Sequence, residues 1–241
     1  MIAAINQPYF IPYIGYWQLI ASADLFAIAD NYNYINKGWI NRNRILNGNK
    51  IQYYNIQINH ASQNRYICDH NIKPIDSLEK SKKLKQLESF YHRAPYRDSG
   101  LELMDRMLSF EGENLADFLY ESIQLVCNYL QIGTKIVRTS DYEQDPSLKF
   151  ADRVYDYCHQ MGADTYHNLI GGLKLYSFEE FAEHGIKLAF LESIPKPYPQ
   201  SSENFEFGLS IIDVIMNNSF EEIQELLKSY RLITEPEEPE A

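Results

Sequence analysis

Residues 1–30, MIAAINQPYFIPYIGYWQLIASADLFAIAD, decide how the chain is read. MIAAI is short and apolar and reads as a buried strand, with a turn after Asn6. PYIGYWQLIASA then places Ile14, Trp17, Leu19, Ile20 and Ala23 at roughly helical spacing, with Pro12 in the first turn. DLFAIAD reads as a second buried strand. Strand, helix and strand in so short a stretch open a parallel sheet with a right-handed crossover.

The same alternation returns later. KIVRTS, DTYHNLI and KLAFLE read as strands, and LKFADRVYDYCHQMG and SFEEFAEHG as the helices among them, the latter with a Ser-x-x-Glu capping box. Two further helices are expected, one from Ser77 to a stop at Pro95 and one over ENLADFLYESIQLVCNYLQIG with Gly133 after its end. FEFGLSIIDVIMNN and FEEIQELLKSY close the chain as helices. Between the halves, NRIL and IQYYNIQI flank an NGN centre at Gly48, a hairpin signal over residues 42–58. The expected fold is α/β: a mainly parallel, Rossmann-like sheet flanked by helices, with a hairpin excursion and a helical C-terminal part. Residues 1–230 form one domain, and 231–241 an acidic, disordered tail.

The totals narrow the function. The 241 residues carry a net charge of −11, which argues against nucleic acid as a partner. No run is long and apolar enough to span a membrane, and no basic n-region begins a signal peptide. Cys68, Cys127 and Cys158 are odd in number and far apart, so a reducing, cytoplasmic setting is expected, without a disulfide framework or a metal site. Phosphate-loop, dinucleotide and serine-hydrolase motifs are absent. The 19 tyrosines supply amphipathic rings that can line a polar pocket, though AT-rich coding gives the same excess.

Ligands of open parallel sheets bind beyond the carboxyl ends of the strands. Asn6, Gln7, Tyr9 and Tyr16 lie at or after the first such end, and Asp30 ends the second. Ser140 and Asp141 follow another strand, and His167, Asn168, Gly171 and Gly172 the next. In NKGWINRNR, Lys37, Trp39, Arg42 and Arg44 form a cationic cluster in an acidic chain. An extended backbone puts Asn43 on the face opposite the two arginines. Asp141 and His92 are the candidate general base or acid. Each feature also has a plainer use: prolines that shape a turn, aromatics in a core, a surface strand balanced by carboxylates, a hydrogen-bonded structural histidine.

NQPYFIPYIGY, ADLFAIADNYNY, WINRNRI, HRAPY, SDY, GGLKLY and YPQ…FEFGLSIIDVIMNN, in this order, resemble the WbqC-like proteins from residue 2 to about 218. One departure is that the family block usually begins His-Gln-Pro, whereas this chain has Asn6-Gln7-Pro8. Asparagine hydrogen-bonds but cannot serve as an acid or base. The resemblance implies a bacterial role in O-antigen or other surface-polysaccharide biosynthesis, with a transferase adding an aminoacyl or related group to a sugar. The expected ligand is a small anionic sugar or nucleotide-sugar; neither a cofactor nor an oligomeric state is implied. Two alternatives stand beside it: a nucleotidyltransferase-like enzyme using Mg²⁺ and a nucleoside triphosphate, and a non-catalytic sugar-nucleotide binding module.

Overall fold

A computed structural model describes residues 1–236. In chain order the elements are β1 (Ile2–Asn6), α1 (Ile14–Ala21), β2 (Leu25–Ile28), β3 (Arg42–Asn47), β4 (Lys50–Asn55), β5 (Ile58–Asn59), β6 (Asn71–Ile72), α2 (Ser77–Phe90), α3 (Arg97–Leu108) and α4 (Leu115–Leu130). Then come β7 (Lys135–Arg138), α5 (Ala151–Met161), β8 (Thr165–Leu169), α6 (Phe178–Glu183), β9 (Lys187–Ser193), α7 (Ile211–Asn217), α8 (Phe220–Leu227) and β10 (Tyr230–Ile233).

Six strands form the main sheet in the order β10-β9-β8-β1-β2-β7. All neighbours are parallel except β10 on β9. The order reverses between β1 and β8, which makes their carboxyl ends the switch point of a doubly wound sheet. Alternating strand residues divide the core. Ala4, Phe26 and Ile28 pack with Trp17, Leu119, Ile215 and Ile223 on the face of α1, α4, α7 and α8. Ala3, Ile5 and Ala27 pack with Val154, Cys158 and Phe181 on the face of α5 and α6. Burying one such side chain contributes roughly 1.5–3 kcal/mol.

The first helix is apolar nearly all round because it is covered nearly all round. Its one polar core residue, Gln18, donates from Nε2 to Leu226 O (2.7 Å) in the last turn of α8 and to Ser229 O (3.1 Å) just beyond it. Pro12 lies outside the first turn: the N-cap is Tyr13. The NGN hairpin forms as β3–β4, with Gly48 at φ +59°, and ends at Asn55 rather than 58. Gln131, in the left-handed region, ends α4, and Gly133 follows that end as expected. Helix α3 was not anticipated. Strand β10 was also missed, and it carries the fold to Ile233, into the segment assigned to the tail; residues 237–241 lie outside the described residues.

Candidate functional site

The turn after β1 does not run freely over the surface. Phe10 N donates to Trp39 O (3.0 Å), and Asn43 Nδ2 donates to Phe10 O (3.1 Å), so the turn is stitched to the start of the hairpin. Ile11, between two aromatic-rich segments, holds φ +41°, a conformation that costs a β-branched residue about 1–3 kcal/mol. On the other side runs a strap, residues 194–210. Ser210 Oγ donates to Ile11 O (2.9 Å) and Ser210 N to Arg44 O (2.8 Å). Between turn, hairpin and strap lies a cavity of about 290 Å³ lined by Tyr9, Tyr13, Trp39, Asn43, Arg44, Phe207 and Gly208.

Two glycines make room for this wall. The ring of Tyr13 folds back over Gly15, where a Cβ would meet it at 2.5 Å. Gly208, at φ +76°, lets the Arg44 guanidinium lie against it; a Cβ there would meet Nη2 at 2.7 Å. Arg44 Nη2 donates to Gly208 O (2.8 Å) and Phe207 O (3.2 Å), and the guanidinium lies over Trp39 at 5.7 Å. Its Nε is buried with no acceptor. Arg42 donates to Gly38 O (3.2 Å) and Lys37 O and covers the Tyr53 ring at 4.2 Å. Among the described residues neither arginine pairs with a carboxylate. Burial pushes the Tyr9 and Tyr13 phenols up, Tyr13 to about 12, so both remain protonated donors at neutral pH.

The strap is anchored from below. Asp213, fully buried in α7, accepts Tyr198 Oη at 2.7 Å and Tyr91 Oη at 2.9 Å. Burial pushes its carboxyl up to about 6, and the hydrogen bonds from Tyr198, Tyr91 and Gln200 oppose that rise.

At the sheet's carboxyl edge the polar residues chiefly serve their own turns. Asn6 Oδ1 accepts Gln7 N and Asn168 Oδ1 accepts Leu169 N, both at 2.8 Å. Asp30, buried, accepts Ser140 Oγ (2.7 Å), Ser140 N (3.0 Å) and Thr139 Oγ1 (3.3 Å), which pins the turn after β7 to that after β2. Gln7 Nε2 reaches Asn33 O at 3.5 Å, and Tyr16 Oη donates to Gln7 O at 3.0 Å from a fully buried ring. Gly172 packs under Asn168, where a Cβ would meet Nδ2 at 2.7 Å, while Gly171 faces open space.

The structure thus brings Tyr9, Trp39, Asn43 and Arg44 into one cavity, with Arg42 stacked on Tyr53 beside Trp39 and Lys37 exposed on the same turn. It leaves the two candidate catalytic groups apart. His92 is exposed after α2 with Nδ1 on Ser89 O at 2.9 Å, and Asp141 closes the turn after β7, accepting Arg138 N at 3.3 Å; neither lines the cavity. His167 sits inside β8, with Nδ1 3.0 Å from Ser22 Oγ at the end of α1, and burial lowers its pKa. Since Ser22 Oγ donates to Leu19 O (2.8 Å), it accepts from the ring, a structural arrangement away from the carboxyl edge. Sequence reasoning missed Tyr13 as a lining residue, and Phe207 and Gly208, which reach the cavity from nearly the other end of the chain.

The chain is 27% identical over 220 residues to an uncharacterized protein of Mycobacterium tuberculosis, Rv1507c, a match that covers 89% of this chain and 92% of that one. No solved structure is significantly similar. The pattern of one family spans residues 7–225, from the turn after β1 through the hairpin and strap to α8. The chain belongs to the WbqC-like protein family.

Proposed function

We propose that the aromatic cavity binds an anionic sugar or nucleotide-sugar, and that the protein is a transferase adding an aminoacyl or related group to that sugar in surface-polysaccharide biosynthesis of the O-antigen type. One observation carries the binding half: Arg42 and Arg44 stand among aromatic rings with no carboxylate partner among the described residues, in a chain of net charge −11. A guanidinium that lines the cavity without a carboxylate partner suits a phosphate or carboxylate, and the rings suit the apolar face of a sugar or a base. The transfer half rests on the family resemblance. The lining offers donors, Tyr9, Tyr13 and Arg44, that would orient a sugar and stabilise charge developing on a carbonyl oxygen.

A second reading has its own support. The residues that line the cavity include no carboxylate and no imidazole to act as a general base, which favours a sugar-nucleotide binding module without turnover. A thermal-shift panel of nucleotides, nucleotide-sugars and amino acids, run on wild type and Arg44→Ala, tests the site. Saturation near 100 times Kd adds about 2.7 kcal/mol of stability. A shift lost in Arg44→Ala supports the cavity; the same shift in both proteins contradicts it. Mass spectrometry of the sugar after incubation with an activated aminoacyl donor separates the two readings: an aminoacylated product marks the transferase, an unchanged sugar the binding module.

A further inference from the structure

Arg153 is a half-buried arginine outside the cavity without an acidic partner among the described residues. Arg153, in the first turn of α5, donates from Nη2 to Tyr157 Oη (3.3 Å) and Asn31 Oδ1 (3.5 Å), and its guanidinium covers the Tyr32 ring at 4.3 Å. Nothing among the described residues accepts from its Nε or Nη1, and no carboxylate pairs with it. Its setting is built rather than incidental. Asn31 is buried and held at both ends of its carboxamide: Oδ1 accepts Thr139 Oγ1 at 2.7 Å, and Nδ2 donates to Tyr157 Oη at 2.9 Å. Tyr157 is buried as well.

Position gives this cluster its meaning. Asn31 and Tyr32 follow β2, Thr139 follows β7, and α5 packs over β1, so the guanidinium sits at the carboxyl edge. Tyr32 also lies within electrostatic reach of Tyr176, which follows the turn after β8: burial pushes the Tyr32 phenol up to about 12, Arg153 opposes this, and Tyr157 and Tyr176 add to it. Tyr32 and Tyr176 both pack against the buried cluster that holds Tyr157 and Tyr166 of β8, so the cluster adjoins strands on both sides of the switch point. The edge residues nearest that point, Asn6 and Asn168, use their Oδ1 atoms on the following amides and leave their Nδ2 groups without a protein acceptor among the described residues. A fixed planar cation whose Nε–H and Nη1–H groups are unused, at the place where doubly wound sheets hold ligands, is suited to donating to phosphate oxygens.

We propose that Arg153, held by Asn31 and stacked on Tyr32, is the phosphate-binding residue of a second ligand site at the switch point, separate from the aromatic cavity. The phosphate is carried by a nucleoside diphosphate or by a phosphorylated sugar. Two separate sites let the protein hold two ligands at once.

Calorimetric titration with UDP and with glucose 1-phosphate, on wild type, Arg153→Gln, Arg153→Lys and Arg44→Ala, tests the proposal. Circular dichroism and unliganded melting confirm that each variant is folded. At least one probe is expected to bind the wild type, to bind Arg153→Gln tenfold or more weakly, and to bind Arg153→Lys with intermediate affinity. The binding event weakened in Arg153→Gln is expected to persist in Arg44→Ala, whatever binding the cavity itself loses there, which separates this site from the cavity. Binding of UDP alone assigns a nucleoside diphosphate, and binding of both probes assigns recognition of the phosphate itself. Undiminished affinity in folded Arg153→Gln, no binding of either probe, or a loss in Arg44→Ala equal to that in Arg153→Gln overturns it.

Discussion

The aromatic cavity and the carboxyl edge of the sheet contrast in how they use polar residues. At the edge, Asn6, Asp30 and Asn168 look like ligand-binding groups in the sequence, yet Asn6 and Asn168 bond the turns that carry them and Asp30 bonds the neighbouring turn after β7. Arg44 in the cavity and Arg42 beside it bond only carbonyls and rings, and no carboxylate balances them among the described residues. The lesson is that a polar residue at a strand end is weak evidence for a ligand, because turns need such residues. A charge left without a counter-charge is stronger evidence, since few interactions inside the chain explain it. Arg153 is the place where the edge behaves like the cavity.

The largest expected effect comes from the carboxylate that anchors the cavity's strap. Asp213 titrates at about 6 in the fold against an ordinary 3.8, so the folded chain holds this proton more tightly. Its contribution to stability is fully present below the ordinary value and is lost as pH rises through the folded one, roughly 3 kcal/mol in all. Asp213→Asn removes this titration. Urea unfolding at pH 4 and pH 8 should show the wild type losing that amount relative to the variant; parallel pH profiles would refute the assignment. At the edge, Asp30→Ala leaves Ser140 N and Oγ without their acceptor and should cost about 2 kcal/mol of stability. Affinity for the cavity ligand should not change, and a loss of affinity at unchanged stability would erase the contrast drawn above.

Smaller effects sharpen the same contrast. Gly208→Ala must place a side chain at φ +76° and against Arg44 Nη2, at a cost of about 1 kcal/mol or more. Ligand affinity should fall with it as the guanidinium is displaced, read by titration of both proteins. An unchanged Kd would show that the Arg44 position is not critical. His92→Ala should change stability by less than about 0.5 kcal/mol and leave binding and any turnover intact, since the ring bonds only its own helix. A large loss of turnover would bring His92 back as a catalytic group.

What the sequence reveals of this fold follows from how local each signal is. Strands β1 and β2 are apolar runs bounded by turn residues, and β3–β4 carries its turn in the sequence, so all three can be read directly. Helix α3 hides because Gly100 looks like a breaker. In the structure that glycine lets α3 approach Met216 of α7, where a Cβ would meet the side chain at 2.4 Å. Strand β10 is four residues long and half exposed, and it becomes a strand only by pairing with β9. The cavity was half legible: the turn and the hairpin announce Tyr9, Trp39 and Arg44, whereas Phe207 and Gly208 arrive on an irregular strap with no periodicity. Arg153 reads as one more charge on an amphipathic helix until Tyr32 and Asn31 are seen beneath it.

The central claim is that the aromatic cavity is where a ligand binds, and the chain carries its own reporter. Of its two tryptophans, Trp17 is fully buried in the core and Trp39 lines the cavity with 37% of its surface exposed. Tryptophan fluorescence should be recorded during titration with a nucleotide-sugar, for wild type and for Trp39→Phe, with calorimetry on both to confirm binding. The account predicts a saturable emission change in the wild type that disappears in Trp39→Phe. An equal change in both proteins, or calorimetric binding with no change in Trp39 emission, would place the ligand elsewhere and contradict it.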